Sequence, residues 1–339
     1  MDIEISAPGV GRFEDSFPSS DGRSRIRTLT WIPLEGELRG IVQVVHGMSE
    51  HVGRYEGFAQ VLAGAGFIVV GDDHVGHGKS VVGSADLGHM PIEGADIMVN
   101  DVRRLCLLYR GAYPELPFFL FGHSMGSFIA RRCCEEFGSE LAGAILCGTG
   151  SVPLPVSLAA NALCKAVARR KGERHRSYKI DALGAGGYSK RIEGATGKLD
   201  WLSVNPENVE RYREDPLCGE VFSVGAYASL TMLTAEVATR DHALKVPHGL
   251  PLFFVSGTMD PVGDFGKGVL EACELYRNAG VLDCRMRLYP GLRHEILNEY
   301  EHAQVEADIL SWIEEHLPDS AQLRTPAHAG KHARRKEDA

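Results

Sequence analysis

Ser124 lies at the centre of a GHSMG pentapeptide at 122–126, directly after the apolar run 117–121. Glycines at both ends allow a sharp turn from a strand into a helix, which holds the serine in a strained conformation and exposes its hydroxyl. In a chain with 39 glycines the pattern alone is weak, but a helix-like run at 127–137 follows it. We therefore predict a nucleophilic serine at position 124.

A serine hydroxyl needs a base that takes its proton and an acid that orients the base. Two later strand-like runs each lead into a turn that carries such a residue, Asp260 in the first and His294 in the second. The carboxyl ends of parallel strands meet at one edge of a sheet, where open α/β sheets place their sites. Asp264 and Asp283 stay open as alternatives for the acid.

The reaction also needs hydrogen-bond donors for the negative oxygen of its tetrahedral intermediate. The backbone N–H of Met125, next to the serine, is one candidate. The turn after the apolar run 41–45 supplies the second, with the N–H of Met48 as the expected donor. Each preorganised donor of this kind lowers the barrier by on the order of 3 kcal/mol.

Short β-rich runs alternate with longer helical patterns, which predicts an α/β fold with a mostly parallel sheet covered by helices on both faces. Strands are expected at 41–46, 67–71, 118–121, 143–147, 252–256 and 285–289. Helices are expected at 54–65, 97–113, 125–137, 267–279 and 298–317. A strand at 25–32 is expected to pair with 41–46 as an antiparallel edge.

The alternation stops near residue 150 and resumes near residue 251. We therefore predict that residues 1–150 and 246–318 form one core and that residues 151–245 form an inserted helical lid. Residues 319–339 lose their apolar side chains and are predicted to be disordered.

Several blocks of the chain resemble the signature motifs of α/β-hydrolases of the monoacylglycerol lipase and bacterial lysophospholipase family. The blocks are HGMSEH at 46–51, RY at 54–55, GDDHVGHGKS at 71–80, GHSMG at 122–126, DP at 260–261 and RHE at 293–295. The resemblance runs from about residue 41 to residue 317, and it includes the lid segments at 200–203 and 215–218.

This resemblance implies the α/β-hydrolase fold and a serine ester hydrolase that cleaves the acyl ester of a lipid, such as a monoacylglycerol or lysophospholipid, without a cofactor. It places the triad and both oxyanion donors on the residues named above, and it places Glu50 and Arg54 near a glycerol headgroup. Met48 and Ser49 stand where those lipases commonly have smaller residues, which leaves the acyl preference open.

Two alternatives to a lipase remain. One is a carboxylesterase or thioesterase for smaller acyl groups, and the other is a non-catalytic protein of the same fold that binds an apolar ligand. No metal is predicted, because the candidate histidines match no standard ligand spacing. Those histidines are His46, His51, His74, His77 and His123.

Composition excludes other classes of protein. The formal net charge of −9 argues against nucleic-acid binding. Eight scattered cysteines without a C-x-x-C pair predict reduced thiols in a cytoplasmic protein. The acidic, proline-broken start is unlike a secretory signal, and no run approaches the roughly 18 apolar residues that span a bilayer.

The start of the lid permits two interpretations. Its apolar stretch at 152–168 is followed by a basic cluster that includes Arg169, Arg170 and Lys171. Such a helix can lie on anionic lipid as a peripheral membrane contact. Alternatively, its apolar face covers the acyl pocket and its charges are solvated.

Overall fold

The computed structural model describes residues 3–318, in which a nine-stranded sheet carries helices on both faces. The strands are β1 (Glu4–Ala7), β2 (Val10–Pro18), β3 (Arg25–Pro33), β4 (Gly40–Val45), β5 (Phe67–Asp72), β6 (Phe118–His123), β7 (Gly143–Cys147), β8 (Leu252–Gly257) and β9 (Cys284–Tyr289). Their order across the sheet is β1-β2-β3-β5-β4-β6-β7-β8-β9. Strands β4 to β9 are parallel to one another, and β1, β2 and β3 pair in antiparallel fashion at one end.

The helices are α1 (Glu56–Gly64), α2 (Gly94–Ala112), α3 (Met125–Phe137), α4 (Leu154–Lys171), α5 (Tyr178–Asp181), α6 (Pro206–Glu214), α7 (Val224–Val237), α8 (Arg240–Ala243), α9 (Lys267–Asn278) and α10 (His302–Glu315). Successive side chains of a strand point to opposite faces. On β6, Phe118 and Leu120 therefore pack with α2, α3 and α9, whereas Phe119 and Phe121 pack with α1 and α10. None of the helices in residues 3–318 combines the length and apolarity needed to cross a bilayer.

The predicted fold class is confirmed, but the predicted antiparallel pairing of 25–32 with 41–46 is wrong. Strand β3 pairs with β2 and β5, and β4 lies between β5 and β6 in the interior. Every residue of β4 is buried, as expected of a parallel strand that is covered on both faces. Strands β1 and β2 were not predicted, because their polar and charged side chains face solvent at the edge of the sheet.

Helices α4 to α8 lie between β7 and β8, in the part of the chain for which a lid is predicted. Arg131 of α3 joins the two ends of this insertion to the core. Its buried guanidinium donates hydrogen bonds to the carbonyls of Gly150 (3.1 Å) and Val237 (2.6 Å) and to the hydroxyl of Tyr276 (3.0 Å). The predicted disorder of residues 319–339 lies outside the described residues.

Candidate active site

Ser124 lies at the turn from β6 into α3, with φ 54° and ψ −119°. A non-glycine residue adopts this region only where the surroundings enforce it. A Cβ atom on Gly122 would lie 2.4 Å from the carbonyl oxygen of Gly126, and one on Gly126 would lie 2.0 Å from that of Val45. Both positions therefore exclude a side chain, and α3 begins directly against the end of β4.

His294 and Asp260 form a buried pair at the same edge of the sheet. The Nδ1 atom of His294 lies 2.9 Å from Oδ2 of Asp260. The Asp260 carboxylate also accepts hydrogen bonds from the Ser256 hydroxyl (3.2 Å) and the Val262 N–H (2.9 Å). Because a carboxylate only accepts, the proton of the neutral imidazole sits on Nδ1. Nε2 has no partner within residues 3–318 and is free to take the proton of a serine.

The alternative acids lie elsewhere. Asp264 forms an ion pair with Arg191 at the surface. Asp283 accepts hydrogen bonds from the Nε of Arg285 (3.0 Å) and lies 3.1 Å from the Nε2 of His316. Neither carboxylate contacts His294, so the structure places only Asp260 of the three candidates next to the imidazole.

The candidate oxyanion donors lie beside the elbow. A Cβ atom on Gly47 would lie 3.0 Å from the Cβ of Ser124, so the turn after β4 packs on the serine. Within residues 3–318 nothing accepts a hydrogen bond from the Met48 N–H. Met125 is the first residue of α3, and the first N–H groups of a helix have no intrahelical acceptor. The N–H groups of Met48 and Met125 are thus available beside Ser124.

A cavity of about 490 Å³ brings the elbow and the histidine together. Ser124, His294, Met48 and Met125 all line it. Most of the remaining wall is apolar and comes from the inserted segment, including Val156, Leu163, Ile180, Leu183, Leu199 and Leu230. Volume and lining fit a ligand with an apolar chain whose one end reaches the serine.

Glu50 and Arg54, predicted to lie near a headgroup, form hydrogen bonds with other side chains and with one backbone N–H of the protein. Glu50 borders the cavity, and its carboxylate accepts hydrogen bonds from the Gly47 N–H (2.6 Å), the Tyr55 hydroxyl (2.8 Å) and Arg54 (3.0 Å). Arg54 lies behind Glu50, outside the cavity lining, and it binds both oxygens of Glu295 at 2.6 and 2.8 Å. Of the two, Glu50 alone is therefore placed to touch a ligand in this cavity.

Trp201, in the inserted segment, packs on His294. Its ring centroid lies 4.9 Å from that of His294 and 5.0 Å from that of Tyr188. Sequence reasoning singled out 200–203 only as a family-like block. Nothing in the pattern pairs Trp201 with a histidine 93 positions further along the chain.

A buried carboxylate clamps this segment to the histidine turn. Glu299 accepts hydrogen bonds from the Ser203 hydroxyl (2.6 Å) and from the N–H groups of Val204 (3.0 Å), Asn205 (3.2 Å) and Arg293 (3.0 Å). Three of these donors, at 203–205, closely follow Trp201 in the chain, and the fourth, Arg293, directly precedes His294. The sequence gives no signal for this role, because an acid after an apolar run is usually solvated.

Three of the five candidate histidines cluster beneath the elbow. His46 and His74 stack at 4.0 Å, and His77 lies 5.1 Å from His46. His46 accepts from the His74 N–H at Nε2, so its proton is on Nδ1 and points to the Gly47 carbonyl (2.8 Å). Burial lowers the pKa of His46 well below its ordinary value and that of His77 to about 3. These two side chains are neutral and structural.

One group of residues within 3–318 has metal-ligand spacing, namely His51, Asp215 and Cys218. His51 accepts a hydrogen bond from the Gly53 N–H at Nδ1 (3.2 Å). The ring proton therefore sits on Nε2, which lies 2.9 Å from the Asp215 carboxylate. A protonated ring nitrogen does not coordinate a metal, so this contact is a hydrogen bond between the insertion and the core.

The sheet order, the strained serine between β6 and α3, and the buried acid–base pair define an α/β-hydrolase with a serine nucleophile elbow. The family model for Hydrolase_4, described as serine aminopeptidase, S33, matches residues 36–301. The chain therefore belongs to this family.

Several relatives cover nearly the whole chain. Monoacylglycerol lipase of Mycolicibacterium smegmatis is 30% identical, over 90% of this chain and 98% of its own. Human monoglyceride lipase is 26% identical, over 87% of this chain and 89% of its own. Among solved structures, a thermostable carboxyl esterase from Bacillus coagulans in complex with glycerol is 32% identical with a TM-score of 0.84, over 90% of this chain and 98% of its own. The predicted resemblance and the prediction of a carboxylic ester hydrolase are confirmed.

Proposed function

We propose that the protein hydrolyses the ester of a lipid with a single acyl chain, most readily a monoacylglycerol. The observation that carries this proposal is the shared cavity: Ser124 and His294 line one largely apolar space of about 490 Å³, and the buried Asp260 holds the ring of His294. The relatives named for monoacylglycerol hydrolysis support the same substrate class.

In the proposed reaction, Ser124 Oγ attacks the ester carbonyl while Nε2 of His294 takes its proton. Asp260 stabilises the imidazolium that forms, and the N–H groups of Met48 and Met125 bind the negative oxygen. The tetrahedral intermediate collapses as His294 gives the proton to the leaving alcohol, which leaves an acyl-enzyme on Ser124. Water, deprotonated by His294, then attacks the acyl-enzyme and releases the fatty acid.

The charges around the cavity favour an uncharged headgroup over a phosphate. Four carboxylates line it, those of Glu50, Asp181, Glu220 and Glu295, beside the ammonium of Lys198. Most of these carboxylates already have a cationic partner in the protein, since Arg54 binds Glu50 and Glu295 and Arg176 pairs with Glu220. No arginine of residues 3–318 belongs to the lining, although Arg is the usual partner of a phosphate. A glycerol headgroup needs no such cation, whereas the phosphate of a lysophospholipid would lack its usual partner in this lining.

A substrate series tests the proposal. The purified protein is assayed on monoacylglycerols of short, medium and long chain, lysophosphatidylcholine, a triacylglycerol, an acyl thioester and a p-nitrophenyl ester, with Ser124→Ala as the blank. The highest kcat/KM on a monoacylglycerol supports the proposal. A higher kcat/KM on the thioester or the shortest ester would instead indicate an esterase or thioesterase for small acyl groups. Tight binding without hydrolysis would indicate a binding protein.

We further propose that residues 151–245 act as a lid that contacts a membrane surface through α4, with the enzyme otherwise in the cytoplasm. The buried residues of α4 face α7, where the Asn161 side chain donates to the Ala228 carbonyl (2.7 Å). Leu158 remains 48% exposed and does not belong to the cavity lining. The last turn of α4 carries basic side chains, which suit anionic lipid.

Sedimentation with lipid vesicles tests the membrane contact. We expect binding to anionic vesicles and weaker binding to zwitterionic ones. Leu158→Ser, at an exposed position outside the cavity lining, should reduce binding several-fold while hydrolysis of a water-soluble ester is kept. Equal sedimentation of the variant and the native protein would contradict the role of α4.

A further inference from the structure

His123, the residue before the nucleophile, lies between two groups that can only accept hydrogen bonds. Its Nδ1 is 3.2 Å from the Oε1 of Glu50, and its Nε2 is 3.3 Å from the backbone carbonyl oxygen of His294. A neutral imidazole carries a proton on one nitrogen only, whereas an imidazolium donates from both. The geometry at both nitrogens is therefore satisfied by the charged form alone.

The charges around the ring require the same form. The titratable and charged groups that face it are Glu50, Arg54 and Tyr55 from the segment after β4 and His294 and Glu295 from the turn after β9. The carboxylates of Glu50 and Glu295 are 4% and 3% exposed, and the guanidinium of Arg54 is 9% exposed. Two buried carboxylates and one guanidinium leave one negative charge, which is costly without a partner.

We propose that His123 is an imidazolium in the folded protein at neutral pH and acts as a positioning residue for the catalytic base. The inference rests on the proposed function only in assigning His294 as that base. The imidazolium neutralises the buried cluster and anchors the carbonyl of His294, which fixes the turn from which the His294 ring reaches the serine. The ring of His123 lies 4.7 Å from that of His294.

The pKa values agree with this arrangement. Burial alone would lower the pKa of His123, but the hydrogen bond and charge of Glu50 outweigh it and raise the pKa above its ordinary value. Burial alone would raise the pKa of Glu50, but His123 and Arg54 hold it well below its ordinary value. Proton transfer from His123 to Glu50 is therefore disfavoured from both sides.

Nitrogen NMR of the intact protein tests the protonation directly. Protein with ¹⁵N-labelled histidine is measured without substrate at a pH about one unit above the ordinary histidine pKa of about 6.5. The His123 signals are assigned by their loss in His123→Gln. We expect protons on both ring nitrogens of His123, and a single ring proton on His77, which serves as the buried neutral reference in the same spectrum.

Two variants separate positioning from simple packing. Glu50→Gln and Glu295→Gln each remove one carboxylate charge, and in either variant that keeps the native spectrum elsewhere His123 should lose one ring proton. The kcat of His123→Gln should fall tenfold or more with KM little changed. The decline in native kcat as His123 loses its proton at alkaline pH should be absent from this variant, whereas His77→Gln should keep it.

A single ring proton on native His123 at that pH would overturn the inference, and so would a His123→Gln variant with native kcat. The spectra do not depend on hydrolysis. An imidazolium at His123 in a protein that cleaves no ester would therefore contradict the proposed function and leave the charge assignment standing.

Discussion

Trp201 lies with its ring 4.9 Å from that of His294, so a residue of the inserted segment covers the imidazole that we propose as the catalytic base. The contact links the insertion to the chemistry as well as to the cavity. An aromatic face over the imidazole restricts its rotation and excludes water from it.

Replacing this indole should lower kcat. In Trp201→Ala the imidazole gains room to rotate away from the serine, and a displacement of about 1 Å is enough to cost up to about a hundredfold in rate. We expect kcat on a p-nitrophenyl ester to fall by about tenfold or more, and Trp201→Phe to recover most of it. Trp312→Phe, in the core on the opposite side of the sheet, is the control and should leave kcat near the native value. Native kcat in Trp201→Ala would show that the contact is passive.

The acid of the triad can be assigned by comparing two aspartates four positions apart. Asp260→Asn removes the carboxylate that fixes the His294 tautomer, and we expect kcat to fall by on the order of 10⁴. Asp264→Asn removes only a surface ion pair with Arg191 and should leave kcat close to native. Steady-state kinetics on one soluble ester measure kcat of both variants. A larger loss of kcat in Asp264→Asn than in Asp260→Asn would assign the role of the acid to Asp264.

Glu299 should support both stability and rate. Glu299→Gln replaces a buried carboxylate that accepts four hydrogen bonds by an amide with a single acceptor oxygen. We expect a loss of about 2–3 kcal/mol in the free energy of unfolding, measured by urea denaturation, with a lower kcat because Trp201 is released. The exposed neighbour Glu301 gives the control Glu301→Gln, which should change neither quantity. An unchanged unfolding midpoint in Glu299→Gln would rule out the clamp.

Arg131 should be important for the attachment of the insertion. Arg131→Met keeps much of the side-chain volume but leaves the carbonyls of Gly150 and Val237 without their donor. Unpaired buried acceptors cost about 1–3 kcal/mol each, so we expect the unfolding free energy to fall by about 3 kcal/mol in urea. The exposed Arg169 provides the comparison variant Arg169→Met. Equal unfolding midpoints for the two variants would argue against this role.

Stability should decline as the pH falls below about 6.5. Burial lowers the pKa of folded His77 to about 3, whereas the unfolded chain binds the same proton near 6.5. Between these values the unfolded state binds more protons, so this histidine reduces stability by about 1.4 kcal/mol per pH unit well below 6.5. His74 and His123 have raised pKa values, so their contributions are fully present below 6.5 and are lost only at higher pH.

Urea denaturation at several pH values between 7 and 5 measures how the free energy of unfolding changes with pH. The decline should begin below a pH of about 6.5. His77→Gln, which can keep the hydrogen bond to the Val75 carbonyl, should make the slope less steep, while the contribution of His46 remains. Glutamine does not titrate, so a slope identical to that of the native protein would show that His77 is not its source.

Sequence patterns predicted the central sheet because β4 to β8 are fully buried apolar strands with glycine-rich turns at their carboxyl ends. The elbow and the two later turns follow from that sheet, and the structure brings Ser124, Asp260 and His294 to one edge. Hydrophobic periodicity did not reveal β1 and β2, because most of their residues are exposed or half-buried without a regular alternation.

The contacts that join distant segments could not be predicted. Trp201 and His294, or Glu299 and Ser203, are brought together only by the packing of the insertion on the core. Arg54 illustrates the same limit: its position suggests a headgroup contact, but two buried carboxylates surround it. Side-chain pairing of this kind depends on tertiary placement, about which local sequence carries no information.

Covalent labelling of Ser124 tests the central claim most directly. The native protein is treated with a fluorophosphonate probe, and mass spectrometry identifies the modified peptide. Hydrolysis of a monoacylglycerol is measured on the same preparation. We expect one probe per chain on Ser124 and complete loss of hydrolysis on labelling. Ser124→Ala should show neither labelling nor hydrolysis. The control Ser84→Ala, at an exposed serine, should behave like the native protein. Labelling or hydrolysis that persists in Ser124→Ala would contradict the assignment of the nucleophile.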